Sequence, residues 1–439
     1  MKLPVKAPQL SDFFRQDSAR MAALLGRGIG PEVNGVYDHW DHVRHLTPPA
    51  GLDAESWWAG IKLARAGLER SVPLADKAGR PFTLSLTSNM QRQLHFLDRE
   101  AAGAIQASGL VDEDTTRKRY LMRSLIEEAM TSSQLEGAST TRQIAKEMLS
   151  TGRAPRDRSE QMIHNNCAMM QSLRHRQARP LSIDLILEIH RALMDDAMDD
   201  PSQAGRLWTA EDDVDPGIVL HVPPRAAELP QRLQALCDFA NATDEGEFLH
   251  PIIRAVAIHF QIGYDHPFCD GNGRTARALF YWSMLRSGYW LSEYISISSV
   301  LKKAPAPYIR SYLYTESDGT DMTYFVAHQL EVIIDAVEGL RGYLARKGRE
   351  RSQAETLLRP GSPLGALLNH RQRALLLQAI RNPESAYEIA GHQAAHRVTY
   401  PTARSDLLGL VKLGLLDQGR SGKAFVFTPA AEMAKRLKR

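Results

Sequence analysis

Apolar residues recur at three- and four-residue intervals along most of the chain, the spacing that lines up one face of a helix. ESWWAGIKLARAGLER (55–70) and NMQRQLHFLDREAAGAI (89–105) carry this pattern, and the turn residues of PLADKAGRPFTLSL between them predict a short hairpin. A long helical stretch is predicted over 116–149, broken at Glu136-Gly137. There the glycine ends one helix, and Ser139 or Thr140 caps the next. Further helices are predicted over 158–176, 182–196, 226–241, 251–265, 274–290 and within 303–348. One segment departs from the rule. GRLWTAEDDVDPGIVLHVPP (205–224) alternates, carries β-branched residues and turns at Asp215-Pro216-Gly217, which predicts a β-hairpin among helices. Prolines and glycines at 359–366 predict a linker. The expected architecture is mainly α: a mostly helical region over 1–110, a helical core over 111–350, a linker over 351–366 and a small domain over 367–439.

Composition narrows the class. A chain of 439 residues, 43% hydrophobic and 24% charged, is expected to form two or three globular domains. Its net charge of +3 is too small to argue for or against a polyanionic partner. Cys167, Cys237 and Cys269 form no CxxC pair, so neither a zinc knuckle nor a disulfide framework is indicated, and a reducing, cytoplasmic setting is expected. The first residues contain no continuous apolar run of the secretory kind, and no stretch approaches a membrane span.

The densest chemistry lies in HPFCDGNGRTAR (266–277), between two predicted helices. Gly271 and Gly273 allow close backbone approach to a ligand. The N–H groups opening the following helix form an anion site. Arg274 and Arg277, three apart, point to one side and suit phosphate oxygens. Asp270 is a hard oxygen ligand suited to Mg²⁺ held jointly with phosphates. His266 is the side chain here that can take a proton near neutral pH. Pro267 ends a helix, and Phe268 anchors the loop. Together these residues are equipped for attack by a hydroxyl on phosphorus. A lone HxxxD beside glycines is usually just a turn, but here eight positions are specified together.

The segment resembles the signature HPFx(D/E)GNGRxxR of the Fic-domain family, whose members mostly transfer AMP from ATP to a protein hydroxyl. The resemblance implies a protein adenylyltransferase whose domain covers 111–350. It assigns His266 as general base and Asp270 as the Mg²⁺ ligand, with Gly271, Asn272, Gly273, Arg274 and Arg277 around the phosphates of ATP. Cys269 falls at the variable position. SSQLEG (132–137) resembles the family's inhibitory pattern (S/T)xxxE(G/N). This implies an inhibitory helix over about 116–137 in which Ser132 and Glu136 share a face and Glu136 pairs with Arg274. The hairpin resembles the family's flap, with Val219 and Leu220 over the nucleotide and Val219, Leu220 and His221 docking the target. Tyr308 is expected on the adenine side. The implied partners are ATP and a target protein, which could be the chain itself, with a homodimer left open. Two other readings stand beside this one: a hydrolase that removes AMP using Glu136 and a water, and a nucleotide-sensing DNA-binding regulator.

Residues 367–439 hold 12 Lys/Arg against five Asp/Glu, a surplus of seven where the whole chain has only three. RQRALLLQAI, SAYEIAGHQ and TYPTARSDLLGLVKLGLL read as three helices, and QGRSGKAFVFTP as strands around a basic turn. This pattern resembles a winged-helix domain, with Thr402, Arg404 and Ser405 as candidates for touching DNA. His39, His42 and His45 are spaced by three in YDHWDHVRHL, but Trp40 and Val43 interleave, so a packed element is expected there rather than a metal site.

Overall fold

The two helices flanking the loop are apolar on nearly every side, and the rest of their unit wraps around them. The structure is a computed structural model that describes residues 2–11, 13, 24–102, 114–212, 220–243, 248–381, 385–421, 424–430 and 433. It is mainly helical and divides into two compact units, Met1–Ala104 with Leu121–Glu338, and Ile105–Tyr120 with Gly339–Arg439.

In the first unit, Pro251–Asp265 and Asn272–Arg286 pack on one another as an antiparallel pair about the loop. Ile252, Ile253, Val256, Ile258, Phe260 and Ile262 of the first helix are fully buried, as are Leu279, Phe280 and Trp282 of the second. Helices with apolar side chains all round belong at the centre of a domain. Arg158–Arg176 and Ile183–Met194 pack on Asn272–Arg286, and each starts with a side-chain cap: Asp157 accepts from the Glu160 N–H, and Ser182 from the Leu185 N–H. The helix Asp114–Leu135 stops just before Gly137, which adopts a positive φ. The next helix, Arg142–Thr151, is capped by Thr141 rather than by Ser139 or Thr140. The Thr140 carbonyl is instead taken by the Gln134 side chain (2.9 Å).

The expected hairpin after residue 68 is present as antiparallel strands Glu69–Ala75 and Pro81–Ser85. It is tied to the core by Thr83, whose N–H donates to the Thr320 carbonyl and whose carbonyl accepts from the Met322 N–H. The N-terminal region packs through Trp40, Val43, Trp58 and Ile61. It is fixed by a buried polar joint in which Arg65 donates to the Tyr324 hydroxyl (2.7 Å) and the Asp38 carbonyl (2.7 Å). Lys62 pairs with the buried Asp318 (3.0 Å). His39 is buried and stacks on Tyr314 at 4.3 Å, whereas His42 and His45 are exposed, so the three histidines do not converge.

The hairpin expected over 205–224 is not seen as strands: residues 205–212 and 220–224 contain none, and 213–219, including Val219, lie outside the described residues. Asp212 accepts from both arms of Arg206 and from the Thr209 N–H (2.6 Å). These bonds fold 206–212 into a turn and leave its backbone out of any ladder. The second motif helix runs Asn272–Arg286 rather than 274–290, because Gly288 adopts a positive φ just after its end.

In the second unit a helix (His370–Arg381) is followed by a short strand (Tyr387–Glu388), two helices (Ile389–His396 and Tyr400–Lys412) and two strands (Leu416–Ser421 and Ala424–Pro429). The last strand lies between the other two, antiparallel to both. Leu376, Ala379, Ala403, Leu407 and Leu410 form the fully buried centre.

Candidate active site

The loop begins where the first motif helix is forced to stop. His266 sits in the left-handed region (φ 45°), its N–H still bonded to the Ile262 carbonyl, and Pro267 follows. That conformation costs a non-glycine residue about 1 kcal/mol or more, so the surroundings must hold it. Trp208 does so from 58 residues away, its indole N–H donating to the His266 carbonyl (3.0 Å) and its backbone N–H to the Pro267 carbonyl (3.1 Å).

The rest of the loop is tied from within. The Asn272 side chain accepts from the Phe268 N–H (3.0 Å) and donates to the Phe268 carbonyl (2.7 Å). Its amide is therefore used as a brace rather than aimed at a ligand. Phe268 is buried and lies flat on the His190 ring, centroids 3.7 Å apart. The His190 Nδ1 accepts from the Gly205 N–H (2.9 Å), which leaves Nε2 carrying the proton that it donates to the Asp270 carbonyl (2.9 Å). Burial lowers this imidazole to about 4, so it stays neutral and keeps that tautomer. Gly271 needs a positive φ (79°), and a side chain there would strike Met194 and His190. Sequence reasoning passed over Trp208 and His190; both are remote from the motif and carry no signal without the fold.

The helix from Asn272 opens without a side-chain cap, so its first N–H groups are available to an anion. A carboxylate lies beside that helix start: a Cβ on Gly273 would collide with Glu136. Glu136 accepts from Arg277 Nη2 (2.7 Å), and Ser132 meets the same guanidinium twice, its hydroxyl accepting from Nε (2.8 Å) and its carbonyl from Nη2 (3.1 Å). The bonded partner of Glu136 is thus Arg277, not the expected Arg274. Pro251–Asp265, Asn272–Arg286 and the end of Asp114–Leu135 set this meeting, and spacing within SSQLEG could not. Burial is the largest influence on Arg277 and opposes its charge, but Glu136, Tyr308 and Glu128 together outweigh it and raise the guanidinium above its ordinary value.

Arg274 is also buried, yet its only close partner is Asp270, at 3.4 Å from Nη2, and its Nε and Nη1 bond to nothing among the described residues. Burial lowers it from its ordinary value, with Asp270 and Glu136 opposing. A buried guanidinium with two unused donors is costly unless an anion shares the site. Asp270 lies at the open rim, with Arg158 3.6 Å from the same Oδ2 that meets Arg274. No cluster of three metal-ligating side chains exists among the described residues, so a cation here would rest on Asp270 and on oxygens of a ligand.

His266 directs Nδ1 toward the Gly263 carbonyl (3.4 Å), which leaves Nε2 facing outward. His266 is exposed at its outer edge, yet the protein packed around the rest of the ring lowers it from the usual histidine value and favours the neutral, proton-accepting form. Behind it, Asp265 is buried against Arg232 (2.6 Å) and Gln261 (2.9 Å). His221 joins the same wall, its ring between the Tyr264 carbonyl (2.6 Å) and Glu316 (2.7 Å). Leu220 is half-buried beside it in sequence. Tyr308, expected on the adenine side, turns its hydroxyl to His259 (2.9 Å) and lies close to Arg277.

Comparison with known proteins agrees with this geometry. The sequence model described as Fic, Fic/DOC family, matches residues 180–284. The chain is 30% identical over 178 residues to "Protein adenylyltransferase Fic" of Nematostella vectensis, covering 39% of this chain and 40% of that one. It is 38% identical over 125 residues to "Protein adenylyltransferase fic-1" of Caenorhabditis elegans, covering 28% and 22%. The chain thus spans less than half the length of these relatives. In fold it is similar to a Fic family protein from Desulfovibrio desulfuricans G20, with a TM-score of 0.51 at 20% identity over 79% of this chain and 98% of that one. With the complete motif between two helices inside the matched stretch, the chain carries a Fic domain over residues 180–284.

Proposed function

We propose that the chain transfers AMP from ATP to a hydroxyl of a protein and that Glu136 restrains it. The observation that carries this reading is an acid beside an anion seat: the Glu136 carboxylate lies over Gly273 on Arg277, one turn from an incompletely paired Arg274. A phosphate that displaced Glu136 would lie beside the uncapped N–H groups of that helix start and both guanidinium groups. Neutral His266 takes the hydroxyl proton at Nε2. The oxygen bonds to the α-phosphorus, the bond from that phosphorus to the bridging oxygen breaks, and pyrophosphate leaves. Asp270 fits Mg²⁺ as a single hard carboxylate at the rim, and the cation would supply charge neutralisation of the phosphates when bound. Arg274 would grip the phosphates and Arg277, once freed, would add to that grip. Asn272 and Gly273 would offer backbone N–H groups, while Gly271, whose N–H is bonded to Asp270 Oδ1 (2.6 Å), would allow close backbone approach to the phosphates. Tyr308 would support Arg277 rather than face the adenine.

In the same reading Val219 and Leu220 would lie over the nucleotide, Val219, Leu220 and His221 would dock the target, and the setting is cytoplasmic. The end of the Asp114–Leu135 helix acts as the restraint, anchored by buried Glu128, which accepts from the Ser296 hydroxyl (2.7 Å) and the Ser298 N–H (3.1 Å).

Intact-mass analysis of wild type, Glu136→Gly and His266→Ala with ATP and Mg²⁺ tests the proposal. The expected self-labelling is weak, strong and absent, with an AMP adduct. No gain in Glu136→Gly would remove the restraint from the account, and an adduct formed without His266 would remove the base. A second reading is favoured by one observation: Glu136 is near enough to His266 to favour its charged form. A carboxylate so placed could orient a water for removing AMP. Loss of label from a modified target only when Glu136 is intact would establish that reaction.

A further inference from the structure

The second unit contains a surface that the chemistry at the motif does not use. The turn between Ile389–His396 and Tyr400–Lys412 is three residues long and opens with Arg397 in the left-handed region (φ 51°). Two helices joined this way, followed by a strand pair, form a helix-turn-helix with a β-wing. In Tyr400–Lys412 the residues Ala403, Leu407 and Leu410 are fully buried, which fixes the opposite face as the outer one.

The charge on that outer face is segregated. The helix contains one acid, Asp406, and it is turned inward. Asp406 accepts from Asn369 (2.6 Å) and from Arg371 (2.6 and 3.1 Å), and it also meets His392 (3.2 Å). With that acid consumed, the exposed side chains include Tyr400, Arg404, Ser405 and Lys412. Arg397 in the turn and Arg420 on Leu416–Ser421 add two more exposed cations. The exposed acids described in this unit after the linker, Glu388 and Asp417, lie on strands rather than on the helix.

We infer that this face binds double-stranded DNA, with Tyr400–Lys412 in the major groove and Arg397, Lys412 and Arg420 on phosphates. A single exposed helix about 20 Å long fits the groove, which is about 12 Å wide. Duplex RNA offers no such groove to a helix. The face carries too little apolar surface to enter a membrane: Tyr400 and Leu413 are its large exposed apolar residues. Arg404 and Ser405, near the start of the helix, are placed to reach base edges. This inference stands independently of AMP transfer.

The test uses the full chain and a labelled 30-base-pair DNA duplex, titrated between about 50 and 200 mM salt. Duplex RNA and phosphatidylserine vesicles are run in parallel. Three phosphate contacts predict a log–log salt slope of about −3 and roughly a fortyfold loss of affinity over that range. Arg404→Glu with Lys412→Glu is expected to lower affinity at least tenfold while ATP self-labelling is unchanged; Arg404→Lys, which keeps the charge, is expected to lower it less. Circular dichroism verifies folding, and the milder Arg404→Ala gives a several-fold loss if the double variant is unfolded. Absence of a DNA complex at 50 mM salt would overturn the inference, as would equal binding by folded charge-reversed protein. Tighter binding to RNA or vesicles than to DNA would also overturn it.

Discussion

Two carboxylate–guanidinium pairs in this chain have opposite construction. At Glu136–Arg277 the arginine is buried and the acid is the outer partner, its side chain 24% exposed against 2% for the arginine. At Arg371–Asp406 the acid is buried and the arginine is the outer partner, 5% against 19%. Arg277 makes two bonds to Ser132 besides the one to Glu136. Asp406 instead collects donors from two segments, through Asn369, Arg371 and His392, and locks them to the helix Tyr400–Lys412. The outer partner of such a pair can be exchanged, whereas the inner one is structural. A displaceable acid over a buried cation makes a stopper, and a buried acid holding several donors makes a joint.

The contrast can be attacked at several points. The largest effect is expected from His266→Ala in a Glu136→Gly background, where AMP transfer should fall by about 10²–10⁴-fold because the proposed general base is gone. Mass spectrometry of the target checks it, and residual transfer near the parent rate would contradict the assignment.

Acid should then separate the two units. His190 is held at about 4 by burial, as are His39 and His328, and His259 is held at about 3; all lie in the first unit. Their folded values lie below the unfolded value of 6.5, so the unfolded chain binds the extra protons as pH falls. Stability is full above about 6.5 and drains away down to about 4, with His190 alone contributing about 3 kcal/mol at most. Hydrogen exchange across that window should show the first unit opening before the second; the reverse order would reject the picture.

Glu136→Gly should raise self-labelling by about 5–150-fold, the range of a coupling of about 1–3 kcal/mol. An unchanged rate would mean that the stopper is already displaced. Asp406→Ala should cost the second unit about 1–3 kcal/mol and leave AMP transfer alone, read as a lowered unfolding midpoint. If the same substitution raised transfer, joint and stopper would not be separate devices. Ser132→Ala should have the smallest effect, a few-fold rise in transfer, since Glu136 still holds Arg277.

The legibility of these features followed their range in sequence. His266, Asp270 and the glycines lie within eight residues, and their joint chemistry was readable because a loop between two helices brings them together by local geometry alone. The main helices were readable for the same reason, since periodic apolar residues state which face must be buried. The segment 206–212 was misread as part of a strand because alternation does not reveal that Arg206 and the Thr209 N–H capture Asp212. Trp208 and His190 were missed because their contacts with the loop cross 58 and 80 residues.

The sequence by itself determined that a base, an acid, two glycines and two arginines would crowd one bend, and that Ser132 and Glu136 would share a helix face. Only the tertiary structure decided that this face meets Arg277, that Asn272 is spent on bracing Phe268, and that Asp406 turns inward. The physical reason is that backbone propensity and spacing fix which side chains leave an element together. The rotation and packing of whole elements, set by their buried faces, fix what those side chains meet.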